Sequence, residues 1–229
     1  PMVFLTLTAP SFGAVHTTAT DRRDGTCEHG MTRGCRCTHA EDDPQRGDAV
    51  CPDCYDYVGQ VVWQYHAPEL WRRFTIRLRR ELARTLGVTQ RAASRLVRVQ
   101  FAKVAEFQRR GVVHFHAIIR LDGVDPVDPF PQAPASVTTA HLIEAIGAAV
   151  KKTNVVATPA PGDDSSRELR WGKQFDARVI VRRDGLDGSL SDRAVAAYIA
   201  KYATKATEDL DSASGGRAHI QRVKQTVRH

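Results

Sequence analysis

Residues 96–121 read LVRVQFAKVAEFQRRGVVHFHAIIRL, with two runs rich in β-branched and apolar residues on either side of the polar turn QRRG. The first run, Leu96 to Phe107, and the second, Val112 to Leu121, predict two strands of a β-hairpin. A three-residue loop, Arg109-Arg110-Gly111, with its glycine in the left-handed conformation would join them tightly. The sequence therefore predicts an antiparallel pair of strands in the middle of the chain.

The second strand carries two histidines, His114 and His116, separated by one residue. Because successive side chains of a strand point to opposite faces, both imidazoles project from the same face. With the three-residue loop, Glu106 falls directly across the hairpin from His114, on that same face. Two imidazoles and a carboxylate suit Mg²⁺ or Mn²⁺ in contact with a phosphate. Taken alone, however, the histidines could be structural residues of a half-buried strand, and Glu106 an exposed carboxylate.

A second pattern lies in the run AAYIAKYATKATE, in which a tyrosine is twice followed three residues later by a lysine. On a helix these side chains fall within an arc of about 100°, so that each tyrosine has a lysine on its own face. The residues are Tyr198, Lys201, Tyr202 and Lys205. A phenol is a weak nucleophile unless a cation stabilises its negative charge. Together with the histidine strand, the pattern predicts a metal-assisted phosphodiester-cleaving enzyme, although tyrosines on an amphipathic helix are otherwise ordinary packing residues.

All five cysteines lie between Cys27 and Cys54, in a polar segment with little hydrophobic periodicity. An odd, clustered set favours a metal site over a disulfide framework. Four thiolates, or three with a histidine, would complete a structural Zn²⁺ site. We expect Cys51 and Cys54 to be ligands, with Cys27 and Cys35 as the preferred second pair. The remaining candidate ligands are Cys37, His29 and His39.

The composition is that of an ordinary globular protein, with 42% hydrophobic and 26% charged residues. The formal net charge of +7 favours a polyanionic partner, most often a nucleic acid, although many mildly basic proteins bind none. No apolar run approaches the roughly 20 residues of a membrane span, and the N-terminus lacks the features of a signal peptide. A cytoplasmic protein with no membrane partner is therefore expected. A start on proline leaves open whether the chain is part of a longer protein.

The pattern becomes helical around Tyr57, and Pro68 suits the first position of a helix. Apolar residues then recur at helical spacing until Gly87, which predicts a helix. Its opposite face carries a basic stripe that is either a solvated surface or a phosphate-binding one. The stripe consists of Arg73, Arg77, Arg80 and Arg84.

Further elements are predicted on both sides of this helix. Val3 to Thr8 and Phe175 to Val181 are expected to be strands, and Thr139 to Lys152 a helix. Ser191 is a suitable N-cap for the helix that would hold both tyrosines. The polar residues 209–229 are expected to form a flexible tail.

These motifs resemble those of the HUH endonuclease superfamily, in particular the two-tyrosine rolling-circle replication initiators of actinomycete plasmids and integrative elements. FLTLT is similar to the first motif of that family, HFH preceded by RRGVV to the second, and YIAKYATK to the third. The likeness extends to CPDCYDY and LWRRFT and covers most of Val3 to Glu208. It implies an α+β fold with a central antiparallel, RRM-like palm sheet and helices packed on it. Residues 1–208 would be the endonuclease domain, with a zinc-stapled insertion at residues 21–56.

The resemblance also implies an activity, that of a site-specific endonuclease and strand transferase. His114, His116 and Glu106 would bind the catalytic ion. Tyr198 and Tyr202 would nick single-stranded or hairpin origin DNA, form a 5′-phosphotyrosine, and leave a free 3′-hydroxyl that primes rolling-circle replication. The second tyrosine would rejoin the strand at termination. Because no P-loop motif is present, a host helicase and a host polymerase are expected partners.

Two alternatives stay open at this point. A conjugative relaxase or a transposase of the same superfamily would share the chemistry, but relaxases usually carry a third histidine and place the tyrosine before the histidines. A non-catalytic, zinc-containing origin-binding protein would explain the positive charge and the cysteines, but it would not need the duplicated Tyr-x-x-Lys pattern.

Overall fold

The computed structural model describes residues 1–21, 23–128, 131–159, 166–181, 190–191, 197, 200 and 217–228. The strands of the described residues are Met2–Leu7 (β1), Arg98–Phe107 (β2), Val113–Asp122 (β3), Asn154–Ala157 (β4), Arg167–Arg170 (β5), Phe175–Val181 (β6) and Leu190–Ser191 (β7). Five of them form one sheet in the order β2-β3-β1-β6-β7, and β4 and β5 form a separate antiparallel pair. In the main sheet the first four strands are antiparallel, and β7 joins β6 in parallel.

Helices cover one face of this sheet. The helices of the described residues are Tyr57–Thr85 (α1), Gln90–Leu96 (α2), Thr139–Lys152 (α3) and Ala218–Thr226 (α4). Alternate sheet residues such as Leu5, Phe115 and Ile119 are buried in one core with Phe74 of α1 and Ile146 of α3. The intervening residues of β3 therefore lie on the opposite face. Among the described residues, no helix combines the length and the apolar composition that a membrane crossing requires.

The predicted hairpin is confirmed, including its loop and register. Gly111 has a φ of +71°, its N–H donates to the carbonyl of Gln108 at 2.8 Å, and Glu106 is paired with His114 across the two strands. Glycine adopts the left-handed conformation without a steric cost, so this turn determines which residues of the two strands face each other.

The helical pattern predicted from around Tyr57 is confirmed, but the placement of Pro68 at a first helical position is wrong. The helix α1 begins at Tyr57, where the Asp56 side chain accepts a hydrogen bond from the N–H of Gly59, and Pro68 lies inside the helix. Proline lacks an N–H for the helical ladder and is unfavourable there. The helix continues because Ala67 and Leu70 on either side of the proline are buried in the core.

The segment before β2 also differs from the prediction. Leu96 is the last residue of the short helix α2 and not the first residue of a strand. A helix forms here because the Thr89 side chain caps its start by accepting a hydrogen bond from the N–H of Ala92. Residues 209–229 were predicted to form a flexible tail. This is wrong for Ala218–Thr226, which form α4 and pack on α1 with His219 and Val223 buried. Ser191 is the last residue of β7.

Candidate metal centres

Three donor side chains meet on the face of the main sheet opposite to α1 and α3. Oε2 of Glu106 lies 2.9 Å from Nε2 of His114 and 3.0 Å from Nε2 of His116, and the two imidazole nitrogens are 3.2 Å apart. Neighbouring ligands of an octahedral ion with bonds of about 2.1 Å are about 3 Å apart. The three predicted ligands are therefore brought together at the spacing that one divalent ion requires, and this group of donors is called the triad from here on.

A threonine of the neighbouring strand supports this triad. The hydroxyl of Thr6 lies 3.0 Å from Nδ1 of His116, its cross-strand neighbour. When this hydroxyl accepts a hydrogen bond from the Nδ1–H, Nε2 keeps its lone pair toward Glu106 and the ion position. The ring of His116 also stacks on Phe4, with centroids 5.6 Å apart and 15° between the planes. Thr6 was not singled out from the sequence, although the alternation of FLTLT places it on this face.

The electrostatics of the triad favour a neutral imidazole at His116. Burial lowers the pKa of His116 below the ordinary histidine value, and neighbouring His114 lowers it further, whereas Glu106 acts in the opposite direction. A neutral imidazole is the form that binds a metal ion. The side chain of Glu106 is 27% exposed and that of His116 is 6% exposed. The donors therefore meet at a point that is accessible to solvent and is anchored in the sheet by His116.

The predicted nucleophiles and their lysines cannot be placed relative to the triad. Tyr198, Lys201, Tyr202 and Lys205 lie outside the described residues. Two alanines of the same segment, Ala197 and Ala200, are described and are helical, in agreement with the predicted helix.

The basic stripe of α1 is not part of the triad, because α1 lies on the other face of the sheet. At its two ends Arg73 pairs with Glu69 and Arg84 pairs with Glu81. The stripe lies on the polar face of an amphipathic helix, and the binding of phosphate there stays a prediction.

The cysteine-rich insertion begins earlier than residue 21. The insertion begins after Phe12, whose carbonyl accepts a hydrogen bond from the N–H of Asp56 at the other end of the segment. Val15 already belongs to the insertion, because it forms an isolated β-bridge with Ala49. Among the described residues of this segment no helix is formed and strand pairing is limited to isolated bridges. The insertion therefore has little backbone pairing of its own to hold it.

Three of the four preferred zinc ligands come together in this insertion. Cys27, Cys51 and Cys54 are grouped with His29, and the Nδ1 atom of His29 lies 3.3 Å from the sulfur of Cys54 and 3.6 Å from that of Cys51. Tetrahedral zinc places a nitrogen and a sulfur ligand about 3.6 Å apart. The fourth preferred residue, Cys35, is not in this group; His29 takes its place, which was one of the open candidates.

The thiols of this cluster perturb each other strongly. Desolvation raises the pKa of Cys27, but hydrogen bonds from the backbone of His29 and Met31 and from the neighbouring thiols outweigh it and lower the pKa to about 7. Hydrogen bonding with Cys51 and Cys27 raises the pKa of Cys54 to about 12. A divalent cation would remove this conflict by binding all the sulfurs as thiolates.

The insertion, α1 and α4 all contact the tip of the hairpin that carries the triad. Arg109 donates from Nη1 to the carbonyl of Asp43 at 2.9 Å, and Gln60 of α1 donates to the carbonyl of Gly111 at 3.1 Å. From α4, His219 Nε2 lies 3.2 Å from the carbonyl of Arg110. Three separate segments thus fix the loop between Glu106 and His114.

Comparison with known proteins identifies a family for this chain. The whole chain, residues 1–229, matches the family model described as replication initiator protein of pSAM2. The chain belongs to this replication initiator family. A protein of Streptomyces ambofaciens named replication initiator protein is 46% identical over 226 residues, which cover 97% of this chain and 47% of the relative. The chain thus spans about half the length of that initiator. No solved structure is significantly similar.

Membership in the pSAM2 initiator family confirms the coarser part of the sequence interpretation, which is a replication initiator of a plasmid type. The α+β class, the antiparallel arrangement of the main strands and a candidate cysteine and histidine metal cluster near the N-terminus are confirmed as well. The HUH superfamily, the palm-type fold and the two-tyrosine chemistry stay predictions.

Proposed function

We propose that this pSAM2-type initiator nicks single-stranded origin DNA by tyrosine attack on a phosphodiester, with a divalent ion held by Glu106, His114 and His116. The convergence of these three donors on one accessible point carries the proposal. The ion would be Mg²⁺ or Mn²⁺, because a carboxylate and two imidazoles leave positions for water and phosphate oxygens.

When bound, such an ion polarises the phosphoryl oxygens and orients the scissile phosphate. Glu106 supplies the negative charge that two neutral imidazoles lack. The nearly buried His116, oriented by the Thr6 hydroxyl at 3.0 Å, fixes the position of the site in the sheet. His114, with 16% of its side chain exposed, completes the donor set on the solvent side.

Tyr198 or Tyr202 would be the nucleophile. Its phenol oxygen forms a bond to phosphorus, the bond from phosphorus to O3′ breaks, and the 3′ oxygen leaves as a free hydroxyl after taking up a proton. The 5′ phosphate stays on the tyrosine. Lys201 and Lys205, each three residues after a tyrosine, would offset the negative charge of the transferring phosphate.

The two tyrosines would divide the work of one replication cycle, the first opening the origin and the second rejoining the strand at termination. Helicase and polymerase functions would come from host proteins. Membership in a replication initiator family favours this assignment over a relaxase or a transposase.

The test is a covalent-adduct assay on the full chain. The protein is incubated with Mn²⁺ and single-stranded oligonucleotides that cover its origin, and denaturation-resistant complexes are located by mass spectrometry. We expect an adduct on Tyr198 or Tyr202 that is lost in the variant with both tyrosines changed to Phe. Tyr65→Phe is a matched control, because Tyr65 is a surface tyrosine with 80% of its area exposed, and it should form the adduct normally.

Two results would contradict the proposal. Tight oligonucleotide binding without any adduct would favour a non-catalytic origin-binding protein. An adduct that persists in the double Phe variant would show that another residue is the nucleophile.

A further inference from the structure

A second group of metal-binding side chains lies in the insertion, and it shares no residue with the Cys27 cluster. It consists of His16, Cys35 and His39. Nδ1 of His16 lies 3.0 Å from Nε2 of His39 and 3.4 Å from the sulfur of Cys35. Three donor atoms from residues 23 positions apart in the chain thus converge on one point.

These separations are those of a tetrahedral zinc site. With Zn–N bonds of about 2.05 Å and Zn–S bonds of about 2.3 Å, two nitrogen ligands lie about 3.3 Å apart and a nitrogen and a sulfur about 3.6 Å apart. The observed distances are shorter by only two or three tenths of an ångström.

The surroundings of His39 have the form of an outer coordination sphere. Its Nδ1 lies 2.8 Å from the carboxylate oxygen of Asp43, while Nε2 faces His16 and Cys35. A metal-bound histidine commonly donates its other ring N–H to a carboxylate, which fixes the ring and strengthens the ligand. Cys35 and His39 are 2% and 7% exposed, so the point at which the donors meet is largely shielded from solvent.

We propose that His16, Cys35 and His39 bind a second Zn²⁺ ion, with Asp43 supporting His39 and a water molecule as the fourth ligand. Cys37 is close in sequence, but its thiol is exposed and does not belong to the group. The insertion is therefore held by two ions, one with three sulfur ligands and one with a single sulfur ligand.

This second ion has a structural consequence for the hairpin. The backbone of His16 pairs with residues 47 and 48, since its N–H donates to the carbonyl of Asp48 and its carbonyl accepts from Gly47. Asp43, which supports His39, also accepts from Arg109 of the hairpin loop through its own carbonyl. The site thus braces the turn that contacts the hairpin tip, and the proposal stands whether or not the chain cuts DNA.

The metal-free alternative is a chain of hydrogen bonds among the same atoms. The thiol of Cys35 then donates to the carbonyl of Cys37 at 3.2 Å, and the His16 imidazole donates to His39. Metal content distinguishes the two states, because the hydrogen-bonded network needs no ion.

The experiment measures Zn²⁺ per chain in the full chain after chelation, reloading and removal of unbound metal. Every protein tested also carries His114→Ala/His116→Ala, so that the triad holds no Zn²⁺, and wild type refers here to the residues of the insertion. We expect two equivalents in the wild type and one in His16→Gln/His39→Gln. We also expect one equivalent in Cys51→Ser/Cys54→Ser and two in the control Cys37→Ser. Loading with Co²⁺ then separates the sites. His16→Gln/His39→Gln keeps the site with three sulfurs, and Cys51→Ser/Cys54→Ser keeps the site with one. The sulfur-to-cobalt absorption band should therefore be about three times as intense in the former as in the latter.

One equivalent of Zn²⁺ in the wild type, or two equivalents retained in His16→Gln/His39→Gln, would overturn the proposal. If either paired variant fails to fold, a Co²⁺ titration of the wild type decides. Two binding phases of unequal band intensity support two sites, and a single phase that ends at one equivalent overturns the second.

Discussion

The role of Thr6 gives a prediction that separates metal binding from folding. Thr6→Val keeps a β-branched side chain of nearly the same shape on β1 and removes only the hydroxyl that lies 3.0 Å from Nδ1 of His116. Without that acceptor the imidazole is free to rotate or to change its tautomer, and Nε2 is no longer held toward the ion. The variant should therefore bind Mn²⁺ more weakly.

The magnitude follows from what an outer-sphere partner contributes. Loss of such a partner weakens metal affinity by about 10- to 100-fold, which corresponds to about 1.4 to 2.7 kcal/mol of binding free energy. The cost to the fold is smaller, about 1 kcal/mol for one net hydrogen bond. Thr8→Val is the matched control, because the Thr8 hydroxyl donates to the carbonyl of Gln174 at 2.7 Å and does not contact the triad.

The assay is isothermal titration of Mn²⁺ into protein loaded with no more than the two equivalents of Zn²⁺ that the insertion binds. The part of the Mn²⁺ heat that is absent from His114→Ala/His116→Ala is assigned to the triad. Thr6→Val should show a dissociation constant raised by one to two orders of magnitude, and Thr8→Val should match the wild type. Equal affinities for Thr6→Val and the wild type, or equal weakening in both variants, would refute the reasoning.

Three further predictions concern stability. Chelation of the insertion metals, or Cys51→Ser, should lower Tm by about 8–16 °C in a thermal melt, since an ion at about a thousand times its dissociation constant stabilises by about 4 kcal/mol. Burial lowers the pKa of His219, so the unfolded chain binds the proton more tightly. The free energy of unfolding of the metal-free chain should therefore fall between about pH 7 and pH 5, and urea unfolding of His219→Gln should show a smaller fall. Gly111→Ala should cost more than about 1 kcal/mol in urea unfolding, because its φ is +71° and an added Cβ would lie 2.9 Å from Ile220 of α4.

Each of these predictions has a control in the same chain. Cys37→Ser, which changes an exposed thiol outside both groups, should leave Tm unchanged; a drop as large as that of Cys51→Ser would contradict the zinc assignment. His66→Gln should keep the pH dependence of the wild type. Gly30→Ala tests the same left-handed backbone, φ +77°, with no atom within 4 Å of the added Cβ. An equal cost for both glycines would contradict the contact with α4.

The hairpin and its register were predictable because the signals that fix them are local. The position of Gly111 determines the loop, the loop determines that Glu106 faces His114, and the period of two places His116 beside them. The grouping of the three donors therefore follows from one turn and one alternation. The identity of the zinc group was predictable only in part, since the spacing of cysteines does not tell which of several candidates fold back onto the Cys51 and Cys54 knuckle.

Features that depend on distant contacts were missed. Pro68 was placed at a first helical position because the stabilisation of the preceding three turns comes from tertiary burial of residues such as Trp63, which is 0% exposed. The helix α4 has only two buried side chains, His219 and Val223, which give too weak a periodic signal in a polar sequence. His16 was overlooked as a ligand because it precedes the cysteine segment by 11 residues and reaches it through backbone pairing with residues 47 and 48.

The central claim is that the triad of Glu106, His114 and His116 supports tyrosine attack on DNA. Single-turnover adduct formation against Mn²⁺ concentration, in the wild type and in His114→Ala/His116→Ala, tests it most directly, with oligonucleotide binding measured in parallel. We predict a rate that saturates with Mn²⁺ in the wild type and no adduct in the variant, whose DNA affinity stays close to that of the wild type. Undiminished adduct formation in the variant would contradict the account.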